Sequence, residues 1–275
     1  LESCVVQGND IVQEIILVDD HSDDDSKQVF DAVQQNHPEF HWKWAINPKK
    51  GACSARNHAF ELSTAPFIQW LDADDILGPK KLEGQLKKLQ HSQRNIIACP
   101  FRPFANKPNS GLLHDPRCWG LEPESSPADW MVVDPMCIPA CWLMSRIIAE
   151  KAGLWDDSLL VNQDGEYFAR VIASSHRVLF QDDVEVFYRR EGGGVSKFSP
   201  EKANSLYRSV ESMARTAFGV EDSNRMRQMI SNRWQHFIYT TYPHAPELLS
   251  KAQSKLQHLP SPTLSNPNAV SLLSK

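Results

Sequence analysis

The chain is 275 residues long, enough to bury a substantial core, and carries 29 Lys and Arg against 34 Asp and Glu for a formal net charge of −5. An acidic balance with no basic stripe argues against a nucleic-acid partner, because acidic runs repel a phosphate backbone. The six cysteines, Cys4, Cys53, Cys99, Cys118, Cys137 and Cys141, lack paired metal-ligand spacing and read as reduced thiols of a cytoplasmic protein; no apolar run reaches the roughly 18 residues a membrane span needs, so any membrane contact is peripheral.

In chain order, Glu14-Ile15-Ile16-Leu17-Val18 reads as a strand buried on both faces that ends in Asp19-Asp20-His21-Ser22-Asp23-Asp24-Asp25. A helix follows over Ser26 to Gln35 with Val29, Phe30 and Val33 on one face, and then a strand over His41 to Ile46. Lys49-Lys50-Gly51 leads into a helix over Ala52 to Leu62 that bears Arg56 and Asn57. The run Phe67-Ile68-Gln69-Trp70-Leu71 is a further buried strand, ending in Asp72-Ala73-Asp74-Asp75. Pro79 suits the first position of the next helix, where Leu82, Leu86 and Leu89 recur at helical spacing.

A strand over Ile96 to Cys99 precedes a loop-rich stretch marked by Pro103, Pro108, Pro116, Pro123 and Pro127. Two packed segments, Trp130 to Cys141 and Ser145 to Ala152, stop at Gly153, and Cys137 and Cys141 read as small buried thiols rather than zinc ligands. Asn162-Gln163-Asp164-Gly165-Glu166 opens a helical stretch from Tyr167 to Ile172, and short strands over Arg177 to Phe180 and Val184 to Tyr188 lead to Arg189-Arg190-Glu191-Gly192-Gly193-Gly194. The chain is then helical and polar from Ser199 towards Tyr239, and its end has the Pro/Ser composition of a flexible tail. Alternating strands and helices predict an α/β fold, a mostly parallel twisted sheet flanked by helices, over residues 1–198, with a C-terminal helical extension over 199–245 and a flexible tail over 246–275.

In such sheets ligands bind beyond the carboxyl ends of the strands, and here two strands end in carboxylates. Hard divalent cations, Mg²⁺ or Mn²⁺, prefer carboxylate oxygens and are completed by substrate phosphates, so the pattern points to a phosphate-bearing substrate. A calcium loop over Asp20 to Asp31 lacks the required glycine and terminal glutamate.

Taken in order, Ile16-Leu17-Val18-Asp19-Asp20-His21-Ser22, Asn47 to Gly51, Ala55-Arg56-Asn57 and Phe67 to Asp75 resemble the family 2 glycosyltransferases of GT-A fold, over roughly residues 1–195. The resemblance implies a nucleotide-diphosphate-sugar donor, a divalent cation (Mn²⁺ or Mg²⁺) on its pyrophosphate, and transfer of the sugar to a hydroxyl of a glycan, lipid or other acceptor. It implies that Asp19 or Asp20 accepts a hydrogen bond from the nucleoside base, that Asp72 lies near the ribose, that Asp74 binds the metal and that Lys49 and Lys50 border the donor phosphates. It further implies inversion with Asp164 as general base, Glu166 being the runner-up, although the usual acidic neighbour is here Gln163. Arg189, Arg190 and the glycine run lie where relatives have a loop that closes over the donor, and Trp119, Trp130, Trp142 and Trp155 fall in the acceptor region.

The family normally opens with a strand and helix before the Val-Asp-Asp strand, whereas Leu1-Glu2-Ser3-Cys4-Val5-Val6 looks like the end of that helix, so the first strand is expected to be missing and the domain truncated. That departure and Gln163 motivate the competing reading, a catalytically silent relative that binds a sugar nucleotide or glycan. A sugar-phosphate nucleotidyltransferase would need a glycine-rich basic phosphate loop near the amino terminus, which the sequence does not show.

Overall fold

The computed structural model describes residues 1–90, 92–108, 111–115, 120–190 and 199–263. A one-turn helix α1 (Glu2–Val5) leads to β1 (Glu14–Asp19), α2 (Ser26–Asn36) and β2 (His41–Ile46), with β1 and β2 parallel in the register Glu14↔His41 to Asp19↔Ile46. α2 closes this unit by burying Phe30 and Val33 against Ile15, Phe40 and Trp42. The apolar run of β1 is only partly enclosed, since Ile16, Leu17 and Val18 remain half-buried; among the described residues β1 has a single strand partner, so the doubly covered strand expected from its composition is not what forms.

Helix α3 (Ala52–Leu62) packs on β1, and β3 (Phe67–Ile68) pairs antiparallel with β8 (Met144–Ser145). The strand expected to run to Leu71 stops at Ile68, because Gln69 turns its amide to the carbonyls of Trp70 and Ala140, the latter at 3.0 Å, instead of continuing a ladder. After the acidic loop come β4 (Ile76–Leu77) and α4 (Lys81–Leu89). Pro79 lies outside α4: the Gly78 amide bonds the Glu185 carbonyl at 3.0 Å and the chain turns through a left-handed Lys80 (φ 57°) before the helix begins. Gly78 is required there, since a Cβ would stand 2.3 Å from that carbonyl oxygen.

The remaining strands are β5 (Asn95–Ala98), β6 (Phe101–Phe104), β7 (Glu124–Ser125), β9 (Arg177–Phe180) and β10 (Val186–Arg189). β5 runs parallel to β9 and β6 parallel to β10, while the two-residue strands β7 and β4 pair antiparallel at their edges. The longer pairings are thus all parallel, as an α/β chain of alternating strands and helices requires. Around them pack α5 (Pro127–Val133), α6 (Arg146–Ala152) and α7 (Gln163–Ser174), and one core joins the sheets formed by β3 to β10 to the helical extension, while the β1–β2 unit keeps its own cluster. Trp130, Trp142 and Trp155, placed by sequence in the acceptor region, are buried in that core; Trp119, Cys118 and the run Gly192-Gly193-Gly194 lie outside the described residues.

The extension consists of α8 (Pro200–Val220), α9 (Asn224–Thr241) and α10 (Pro246–Leu256). α10 stands where composition suggested a flexible tail; it buries Leu249 and Ala252 against α8 and α9, and Ser231 then holds the Pro260 carbonyl at 2.6 Å. Local polarity concealed this helix because its stability comes from one buried stripe. Residues 264–275 lie outside the described set. No described helix is long and apolar enough to cross a membrane.

Candidate active site

The first acidic pair sits at the carboxyl end of β1, where the two carboxylates do different work. Asp19 is nearly buried and accepts from the Ser22 amide at 3.2 Å. Asp20 holds the neighbouring loop, accepting from the Gly51 amide at 2.9 and 3.0 Å and from the side-chain amide of Asn47 at 2.6 Å. Asn47 is fully buried, and its own amide bonds the Asp19 carbonyl at 2.8 Å, so the acidic pair and the lysine loop form one unit. Gly51 makes this possible at φ 136°, a conformation that side chains disfavour. Lys49 on that loop pairs with Asp157 at 2.6 Å, and Lys50 is exposed.

The second acidic cluster follows β3. Asp72 takes an ion pair from Arg56 Nη2 at 2.6 Å, and Asp74 is exposed, with its backbone carbonyl accepting from Arg189 Nε at 3.1 Å. Asp75 is buried, accepts the Arg189 backbone amide at 3.0 Å through Oδ1, and leaves Oδ2 buried with no hydrogen-bond partner. Burial pushes its carboxyl up to about 7, reinforced by the charges of Asp72 and Asp74 and opposed by the Arg189 amide. The acidic loop is thereby tied to the end of β10, the strand leading into the glycine run.

Asp164 lies in the first turn of α7, whose N-cap is Asn162 (φ 55°), so its carboxylate is free of a capping role. Its side chain is 43% exposed and stands 3.9 Å from Arg56 Nη1. Burial of its surroundings pushes it up to about 6, the Arg56 charge pulling it down and Asp72 pushing it further up. Glu166, by contrast, is 4% exposed with its carboxylate engaged: it forms a fork with Arg170 at 2.8 and 2.7 Å and accepts from Ser212 at 2.8 Å, which fastens α7 to α8.

Arg56 and Asn57, which sequence reasoning noted only as part of a motif, prove to be the joints of the site. Asn57 grips the Trp155 backbone twice, donating to its carbonyl and accepting from its amide, both at 2.9 Å. Arg56 lies over the Trp155 ring at 4.5 Å, and that ring stacks on Tyr167 of α7 at 3.9 Å. Helix α3 therefore positions, through Trp155, the helix that carries Asp164. The adjacent Arg-Asn in the sequence was the available signal, but its partner 98 residues away was not.

Among the described residues no three His, Cys, Asp or Glu side chains gather as a metal cage. The donor set at the acidic loop still fits a hard cation that keeps open positions, with an exposed Asp74 carboxylate beside the orphaned Asp75 oxygen.

Comparison with known proteins agrees with this architecture. S. aureus TarS 1–349 in complex with UDP-GlcNAc is similar over 94% of this chain and 77% of that one, at 14% identity and a TM-score of 0.73. The mannosyltransferase PcManGT of Pyrobaculum calidifontis, in complex with GDP-Man and Mn²⁺, is similar over 95% of this chain and 69% of that one, at 15% identity and a TM-score of 0.55. These likenesses show the fold, the mostly parallel α/β sheet of the GT-A type. An uncharacterized glycosyltransferase of Methanocaldococcus jannaschii is 23% identical over 201 residues, 70% of this chain, and the match spans 66% of the relative's length. The succinoglycan biosynthesis protein ExoU of Rhizobium meliloti is 38% identical over 73 residues, 26% of this chain and 21% of that protein. The family model described as Glycosyl transferase family 2 matches residues 1–153, which include both acidic clusters and Arg56 and stop short of α7. The chain belongs to glycosyl transferase family 2.

Proposed function

We propose that the chain transfers a sugar from a nucleotide-diphosphate-sugar donor to an acceptor hydroxyl, with inversion and with Asp164 as general base. The observation that carries this reading is the bridge between the second acidic loop and the start of α7, with Arg56 spanning Asp72 and Asp164 at 2.6 and 3.9 Å. In this reading the Asp19–Asp20 pair faces the nucleoside base, Asp72 the ribose hydroxyls, and exposed Lys50 the phosphates. Asp74 holds a divalent cation, Mn²⁺ or Mg²⁺, which when bound stabilises the negative charge that develops on the pyrophosphate leaving group. Asp164 removes the acceptor's proton as its oxygen attacks the anomeric carbon; a carboxyl held at about 6 is a stronger base than an ordinary aspartate and is still ionised at neutral pH. The five described cysteines are free thiols, which supports the cytoplasm, at the membrane periphery if the acceptor is lipid-linked.

The test is a thermal-shift screen against UDP-, GDP- and dTDP-sugars, each with Mn²⁺ and with EDTA, followed by a transfer assay. A metal-dependent stabilisation by one donor, lost in Asp74→Ala, and turnover lost in Asp164→Asn with donor binding retained, are the expected results. A folded chain that binds no donor refutes the reading; donor binding without turnover leaves a sugar-nucleotide-binding relative.

A further inference from the structure

We propose that Arg56 is a positioning residue that couples donor occupancy to the ionisation of Asp164, because one guanidinium serves the carboxylates of both sites. This inference rests on the glycosyltransferase reading above. Arg56 Nη2 contacts Asp72 at 2.6 Å, while Nη1, buried and without a hydrogen-bond partner, faces Asp164 at 3.9 Å. The side chain is 14% exposed and has little room to swing, since its plane lies over Trp155 and Asn57 grips the Trp155 backbone. A planar fork held this way divides a fixed charge between two acceptors.

A donor whose ribose hydroxyls hydrogen-bond Asp72 competes with Arg56 for that carboxylate. Hydrogen bonds from the ribose offset part of the Asp72 charge, so the attraction of the fixed Arg56 for Asp164 is less opposed, and the Asp164 carboxyl gives up its proton to solvent and stands ready to take one from the acceptor hydroxyl. Near pH 6 the empty site leaves the acid about half protonated, and a bound donor drives it towards full ionisation. By linkage, ionised Asp164 also tightens donor binding by the same factor. The other titratable groups that face Asp164 among the described residues are Cys53 on α3, Asp72 itself and Tyr188 on β10. None of these is a cation, so Arg56 alone supplies the attraction.

The experiment is calorimetric titration of the full chain with UDP-, GDP- and dTDP-sugars, whose diester pyrophosphates bring no titrating proton of their own, each with Mn²⁺, at pH 6 in two buffers of different ionisation enthalpy. Because Asp164 is held at about 6, wild type is expected to release up to roughly half a proton per donor bound. Asp164→Asn and Arg56→Gln are expected to release none, and Arg56→Lys, which keeps the cation without the fork, to restore part of the release. In parallel, the ¹³C carboxyl titration of Asp164 in the nucleotide-free chain is expected to show about tenfold higher proton affinity in Arg56→Gln, the direction expected when an opposite charge within about 4–6 Å is lost. Equal proton release in wild type and folded Arg56→Gln, or an unmoved Asp164 titration, overturns the coupling. If Arg56→Gln does not fold, Arg56→Lys decides it, since release identical to wild type despite the lost fork overturns it as well. Donor binding with no proton released refutes the coupling alone, whereas failure of a folded chain to bind any of the three donors refutes the glycosyltransferase reading with it.

Discussion

Replacing Glu166 by alanine isolates the joint that fixes the base helix to the extension. The carboxylate is 4% exposed and accepts from Arg170 at 2.8 and 2.7 Å and from Ser212 at 2.8 Å. Removing one partner of a buried, hydrogen-bonded ion pair costs about 3–5 kcal/mol, because the remaining charge is left uncompensated. Arg170 is 22% exposed, retains its bond to the Ala152 carbonyl and lies 5.4 Å over the Tyr167 ring, so the lower end applies, about 3 kcal/mol. For a chain of this size that is a fall of roughly 6–12 °C in melting temperature. Urea unfolding followed by tryptophan fluorescence, with calorimetry alongside, measures it; Glu166→Gln, which keeps the shape and some hydrogen bonding, should lose about half as much. A loss below about 1 kcal/mol in Glu166→Ala, with an unchanged denaturant slope, refutes the claim that this pair fastens α7 to α8.

The pH dependence of transfer should follow Asp164: kcat/KM rises through about pH 6 as the base loses its proton, and a rate flat down to pH 4.5 removes Asp164 from that role. Asp75 makes a linkage prediction of definite sign. Its folded value of about 7 lies above the unfolded 3.8, so its contribution to stability is fully present below 3.8 and lost as pH rises through about 7. With EDTA present, Asp75→Asn should therefore stabilise the chain by up to about 4 kcal/mol at pH 8 and leave it unchanged near pH 3, as read from chemical denaturation at both values. Asn57→Ala removes both part-buried 2.9 Å bonds to the Trp155 backbone. It should cost about 2 kcal/mol of stability and lower kcat at least tenfold while nucleotide affinity, measured by calorimetry, changes little. A matching loss of affinity would mean that Asn57 supports the donor site and not the base.

The sequence by itself determined the order of the longer strands and helices as far as the extension and the places where the apolar runs give way to carboxylates. Both are local: the apolar runs at Ile15 to Val18 and Phe67 to Leu71 stop at Asp19 and Asp72, and a strand end is where buried backbone must give way to groups that water or a ligand can solvate. The family was legible for the same reason, since the acidic pairs, the Gly51 loop and the Arg56-Asn57 step occur in fixed order along one chain. Only the tertiary structure decided which carboxylates are spoken for. Nothing near Asp20 in sequence reveals that it holds the Gly51 loop, and nothing near Glu166 reveals Ser212 on α8. α10 was hidden because its helix is stabilised by burying Leu249 and Ala252 against distant helices rather than by its own propensity. Arg56 was the largest omission: its role depends on Asp72 and Asp164 arriving on either side of one guanidinium, a juxtaposition that exists only once α3, the acidic loop and α7 have packed around Trp155.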